Sequence, residues 1–110
     1  MTTLFDEREQ AFERRFAHEE EMRFRARVRR NRLLAAWACG RMEFPAALAD
    51  RYVEAFAECG ITAGDEALVE RLRTDLRAAG LEADPSDLRR EMEHCAALAW
   101  AEQRAALTAD

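Results

Sequence analysis

Residues 4–37 read LFDEREQAFERRFAHEEEMRFRARVRRNRLLAAW, without a glycine or proline to interrupt a helix. The run continues to Cys39, and the first glycine is Gly40. A helix over 6–39 would be about 50 Å long at ~1.5 Å per residue. On a wheel of ~100° per residue, Phe5, Phe12 and Phe16 fall within about 40° of one another. Glu19, Glu20 and Arg23 occupy the positions that would continue the stripe, so it stops. Met22, Ala26, Leu33 and Trp37 form a second stripe, rotated by about 70° on the same wheel. Two faces on one long helix predict two partners: the chain's own bundle for the second stripe and another molecule for the phenylalanines. Asp6, with Glu9 three residues on, reads as the start of the helix in a capping-box arrangement.

Beyond residue 39 the pattern is punctuated helix. Gly40, Gly60 and Gly80 each follow an amphipathic run, where positive φ would end a helix, and Ile61 and Leu81 supply the hydrophobic contact of a Schellman ending. Pro45 suits a first turn, Asp65 or Thr62 can cap a third segment, and Asp84 before Pro85 reads as N-cap followed by the first helical residue. β-branched residues are scarce and no stretch alternates with period two, so no strand is predicted. Segments 45–59, 65–79 and 85–107 follow. Their faces are Leu48, Tyr52, Ala55, Phe56 and Cys59; Leu68, Leu72 and Leu76; then Leu88, Met92, Cys95, Ala96 and Ala99, with Trp100 and Leu107 on a neighbouring stripe. The three would measure roughly 20–35 Å and cannot cover the first. The expected fold is all-α, a four-helix bundle with an overlong N-terminal helix. It divides into an arm over 1–20 and a bundle over 21–110.

Composition bounds the function. The 110 residues make one domain; 49% are apolar, but 23 of these are alanine, which leaves a core for one small bundle. All 17 basic residues are Arg, and 22 acids bring the net charge to −5, which gives no overall bias toward nucleic acid or anionic lipid. Charge is divided along the chain: −4 over 1–22, +7 over 23–41 and −8 over 42–110. No window approaches the ~18 apolar residues of a membrane span, and MTTLFDEREQ lacks a signal-peptide pattern. Cys39, Cys59 and Cys95 are odd in number with no CxxC pair, so they read as small buried hydrophobes in a reducing cytoplasm. Acids early and arginines late suit the helix dipole, and pairs such as Glu19–Arg23 account for much of the division. An amphipathic arm with spare aromatics nevertheless reads as a helix that docks in a partner's groove.

Leu4 to Trp37 resembles the N-terminal signature of the zeta subunit of α-proteobacterial F-type ATP synthases. FD, RE and AFE within FDEREQAFE, then FAH, then RRNRLL and the closing tryptophan of RRNRLLAAW match that signature in order and without gaps; the remainder resembles the family in length and helix spacing, with GDEALVERLRTDLRAAG as the better second block. The likeness covers essentially the whole chain. It departs around Gly40–Pro45 and in VEAFAECG, where the family is more acidic. The resemblance implies a non-catalytic inhibitor of ATP hydrolysis with a four-helix-bundle fold. Its N-terminal segment would enter a catalytic interface of the head, formed by alpha, beta and gamma subunits, and obstruct hydrolytic rotation. The matching arm residues are Phe5, Asp6, Arg8, Glu9, Phe12, Glu13 and Phe16. The family is also associated with ADP/ATP; side-chain chemistry selects Arg29, Arg30, Asn31 and Trp37 for that ligand. The implied location is cytoplasmic and peripheral, on the inner membrane through the synthase.

Other readings carry less. The phenylalanines could pack on the chain's own bundle; the motif match favours docking. The arginines of 23–32 suggest a small helical adaptor or nucleic-acid-binding module, but they lie on several faces among a majority of acids, with no reader motif. Glu91 and His94 make one Glu-x-x-His pair, whereas di-iron bundles use two; His18 has Arg15 where the second Glu would stand, so no metal is expected. Sustained heptads of a coiled coil are absent.

Overall fold

The computed structural model describes residues 3–109 and forms four helices: α1 Leu4–Met42, α2 Ala46–Cys59, α3 Asp65–Ala78 and α4 Pro85–Thr108. There is no strand among the described residues. The ends of the 1–20 and 21–110 divisions, residues 1, 2 and 110, lie outside them.

The helix starts differ from expectation in instructive ways. Thr3, not Asp6, caps α1: Thr3 Oγ1 accepts from the Asp6 amide at 3.1 Å, and the Thr3 amide donates to Asp6 Oδ2 at 3.4 Å. This is a reciprocal box with Asp6 at its third helical position, so α1 begins a turn earlier. Gly64 is the N-cap of α3 and makes no side-chain bond, so Asp65 is already helical; Pro45 is likewise the cap of α2 rather than its first residue. Asp84 behaves as expected, accepting from the Ser86 amide at 2.9 Å ahead of Pro85.

Of Gly40, Gly60 and Gly80, Gly80 alone ends a helix through positive φ, at 82°. The Leu81 amide donates to the Leu76 carbonyl and the Gly80 amide to that of Arg77, both at 2.9 Å, which is the expected Schellman pair. α1 instead runs through Gly40 and turns at Glu43, at φ 57°, where the Phe44 amide donates to the Cys39 carbonyl at 3.1 Å. A side chain in this left-handed region costs about 1–2 kcal/mol, partly returned in glycine by its unfolded-state entropy. Glu43→Gly is therefore expected to stabilise the fold by about 0.5–1 kcal/mol, read as a higher denaturation midpoint at unchanged m-value.

α1 is the spine and touches all three other helices; α3 also packs on α4. α4 runs antiparallel to it, Gln103 reaching Met22 while Ala96 stands beside Arg30. α2 is antiparallel too, with Cys39 beside Ala49 and Arg32 beside Glu54. Leu34, Phe56, Leu68, Leu72 and Leu88 fill the core with Met92, Cys95 and Ala99 around them. The predicted face of α3 is buried throughout, but on α2 Leu48 and Ala55 are exposed, and on α4 so are Trp100 and Leu107. Of these, Trp100 stands at the edge of the α1–α4 contact, beside Arg23 and Ala26.

The second stripe of α1 does pack into the bundle, with Ala26 buried and Leu33 and Trp37 against the core, but it is the edge and not the centre of the buried face. The buried line of α1 runs through Ala26, Arg30, Asn31, Leu34, Ala35, Ala38 and Cys39; Met22, Leu33 and Trp37 are half-buried at its flank. Leu34 stands eighteen residues above Phe16, about five full turns at ~3.6 residues per turn, so the two share an azimuth. The phenylalanines thus continue the core-facing side of the helix into a region that has no bundle around it. All residues from Thr3 to Glu21 are exposed. The molecule measures 66 × 31 × 23 Å, with a radius of gyration of 18.1 Å. A compact chain of this length has about 13 Å.

Candidate partner-binding surface

The surface is built on the first five turns of α1. Phe5, Phe12 and Phe16 are 76%, 70% and 56% exposed on one side of the helix. Arg8, Glu9 and Glu13 lie exposed around them, with no ion pair of their own among the described residues, whereas Asp6 is held in the cap. A helix that is capped and already formed can present such a row of rings at little ordering cost.

The helix leaves the bundle at Met22, where polar ties hold it. Gln103 Nε2 of α4 donates to the Met22 carbonyl at 3.0 Å. Arg29 grips Glu102 bidentately at 2.7 and 3.3 Å, and this bond holds the Glu102 carboxyl below its usual range and raises the Arg29 guanidinium. Glu20–Arg23 at 2.6 Å and Glu21–Arg25 at 2.8 Å span the exit along the helix itself.

Deeper in, Arg30 and Asn31 are buried together. Asn31 Oδ1 accepts from Arg30 Nε and Nη2 at 3.0 and 2.8 Å, and the same guanidinium meets both Asp65 oxygens at 2.9 and 3.3 Å. Asn31 lies directly under Gly60, whose missing side chain makes room for it. Of the residues selected for a nucleotide, the structure joins Arg30 to Asn31 alone. Arg29 points to α4, and Trp37 is half-buried with the Arg41 guanidinium 5.6 Å from its ring. Each arginine of 23–32 has an acceptor within the chain: Arg27 takes the Gly60 and Ala63 carbonyls at 3.3 and 3.4 Å, and Arg32 reaches Glu54 at 3.5 Å.

A feature the sequence reading missed is a cleft of about 300 Å³ between α1 and α4, lined by Arg23, Ala26, Arg27, Arg30, Ala96 and Trp100. The spacing of Arg23, Arg27 and Arg30 was a legible signal, since it places them on one helical face. That Trp100 faces them across small alanines depends on the pairing of distant helices.

Elsewhere the polar groups serve the fold. Tyr52 Oη donates to Asp75 Oδ2 at 2.6 Å, and burial together with this bond raises the phenol well above its ordinary range. Arg71 lies over the Tyr52 and Phe56 rings, 5.7 and 5.4 Å from their centroids. Burial pushes the Cys95 thiol up to about 11, beside Glu91; His94 is exposed. Among the described residues, no group of three or more His, Cys, Asp or Glu could hold a metal, and no helix is long and apolar enough to cross a membrane.

No curated protein and no solved structure matches the chain. A family model does, over residues 1–102, from the capped start of α1 almost to the end of α4. That model describes the ATPase inhibitor subunit zeta, and a match over nearly the whole length places this chain in the zeta family of ATPase inhibitor subunits.

Proposed function

We propose that the chain inhibits ATP hydrolysis by the F-type ATP synthase by inserting its N-terminal helix into a catalytic interface of the rotary head, among alpha, beta and gamma subunits. Membership of an inhibitor-subunit family gives the chain a regulatory role on an ATPase. The observation that carries the insertion step is the row of Phe5, Phe12 and Phe16, exposed on a helix that its own bundle does not cover. Residues 1–20 then act as the arm and 21–110 as the bulky body that stays outside the groove. Phe5, Phe12 and Phe16 are the anchors; Asp6 holds the helix start, and Arg8, Glu9 and Glu13 set register and selectivity. The subunit is held at the cytoplasmic side of the inner membrane through the synthase. A regulatory ADP or ATP, implied by the family, belongs to the same reading; of Arg29, Arg30, Asn31 and Trp37, selected for it by side-chain chemistry, Arg30 and Asn31 are the two that stand together.

The test compares hydrolysis by isolated heads under titration with the full chain and with Phe12→Ala/Phe16→Ala. Each ring is worth about 2 kcal/mol when buried, so the double variant should need roughly a hundred-fold or higher concentration for half-inhibition. Its thermal unfolding should not change, since neither ring packs on the bundle. Equal potency of the two proteins would refute the insertion reading.

A further inference from the structure

The cleft at the foot of the arm lies on the same line as the phenylalanines. Phe12 and Arg30 are eighteen residues apart, about five turns at ~3.6 residues per turn, and Arg23 is seven beyond Phe16, about two turns or ~10 Å. A segment lying along Phe5, Phe12 and Phe16 and extending toward the bundle therefore arrives at Arg23, Arg27 and Arg30, with the Trp100 ring as the far wall.

The charges there are unbalanced. Three arginines line the cleft, and among the described residues two carboxylates answer them: Asp65 on Arg30, and Glu20 on Arg23. Among the described residues Arg27 has two neutral carbonyls, at 3.3 and 3.4 Å, and no carboxylate. The Glu20–Arg23 pair is exposed on both sides, so an incoming acid can displace Glu20 at little cost. Ala26 and Ala96 keep the floor shallow in side-chain bulk, and Trp100 stays 40% exposed and available for apolar contact.

We propose that this cleft is a second contact with the partner that receives the arm, and that it takes an acidic side chain of that partner's surface. This rests on the proposed function for the partner's identity. It assigns to Arg23, Arg27 and Trp100 a role separate from that of the phenylalanines. The rings act after docking, by slowing dissociation; the cleft acts on approach, by drawing a carboxylate to the rim of the groove.

Binding of the full chain to isolated catalytic heads tests this, with association and dissociation rates measured across a salt series alongside inhibition. Arg23→Glu and the double variant Arg23→Glu/Arg27→Gln should each associate more slowly, the double by about ten-fold, and show a flatter salt dependence. Phe12→Ala/Phe16→Ala should keep the steep salt dependence and dissociate faster. Arg23 is exposed and tied only to Glu20, so its variant tests the idea even if loss of Arg27 disturbs the 60–63 turn. Trp100→Ala should speed dissociation modestly. Unchanged rates in the arginine variants would overturn the inference and leave the inhibitory arm standing. Binding without inhibition would sink the functional reading alone, and no binding by the wild type would sink both. If ADP quenches Trp100 fluorescence while the arginine variants bind heads normally, the cleft is a nucleotide site and the inference is wrong.

Discussion

Deleting residues 1–17 is expected to abolish inhibition of ATP hydrolysis and leave the thermal unfolding of the remaining chain nearly unchanged. The two outcomes separate because of where burial begins. Every residue from Thr3 to Glu21 is exposed, Met22 is the first to lose a substantial part of its surface, and the buried core begins at Ala26. The deleted segment contributes its cap, its own helical bonds and no core contact. The Gln103–Met22 and Arg29–Glu102 ties remain, together with both pairs that span the exit. The loss of stability should therefore stay within about 0.5 kcal/mol, the ordinary range for surface changes. The loss of inhibition should be at least about a thousand-fold, because three anchors of about 2 kcal/mol each disappear together. Hydrolysis by isolated heads and calorimetry of the truncated chain provide the two readings. A truncated chain as potent as the intact one would show that the body, not the arm, stops the enzyme.

Gly60→Ala should be the most damaging single methyl in the bundle. A Cβ at Gly60 would overlap the Asn31 amide nitrogen and stand 3.2 Å from its Cγ. Asn31 cannot yield freely: it is 1% exposed, and its oxygen holds two donors of Arg30, which in turn holds Asp65. The added methyl must shift a buried polar network or push α2 away from α1. Overpacking of this kind costs about 1–3 kcal/mol, and the attached hydrogen bonds place it at the upper end. For a domain of this size that corresponds to a midpoint lower by roughly 10 °C or more. Gly40→Ala is the control: nothing lies within 4 Å of its Cβ and it sits inside α1, so it should stabilise by up to about 1 kcal/mol. Combining Asn31→Ala with Gly60→Ala should restore part of the loss through a clear non-additive term.

These glycines show how far the local pattern could be read. Gly40, Gly60 and Gly80 look alike in sequence, each closing an amphipathic run, and they play three different parts. Gly80 is the left-handed helix terminator that the pattern predicts. Gly40 is an ordinary helical residue, because the helix has Arg41 and Met42 still to come before Glu43 turns the chain. Gly60 is needed for space, not for φ, and the reason lies twenty-nine residues away in Asn31. The stripes of α1 follow the same logic. The pattern of aromatics located the exposed face at Phe5, Phe12 and Phe16. The route of the buried line through Arg30 and Asn31 was hidden, because polar residues do not announce burial.

The sequence by itself determined the local and the periodic: four helices, their approximate limits, the overlong first one, the family signature, and the phenylalanines that a short bundle could not reach. These follow from the propensity, spacing and length of a single segment, which act without regard to the rest of the chain. Tertiary structure decided which side of α1 faces inward, why Gly60 must lack a side chain, and that Trp100 closes a cleft with arginines some seventy residues earlier. Those outcomes depend on which helices meet and at what register. Burial and ion pairing are properties of the meeting surfaces, so they come into being only when the helices are packed.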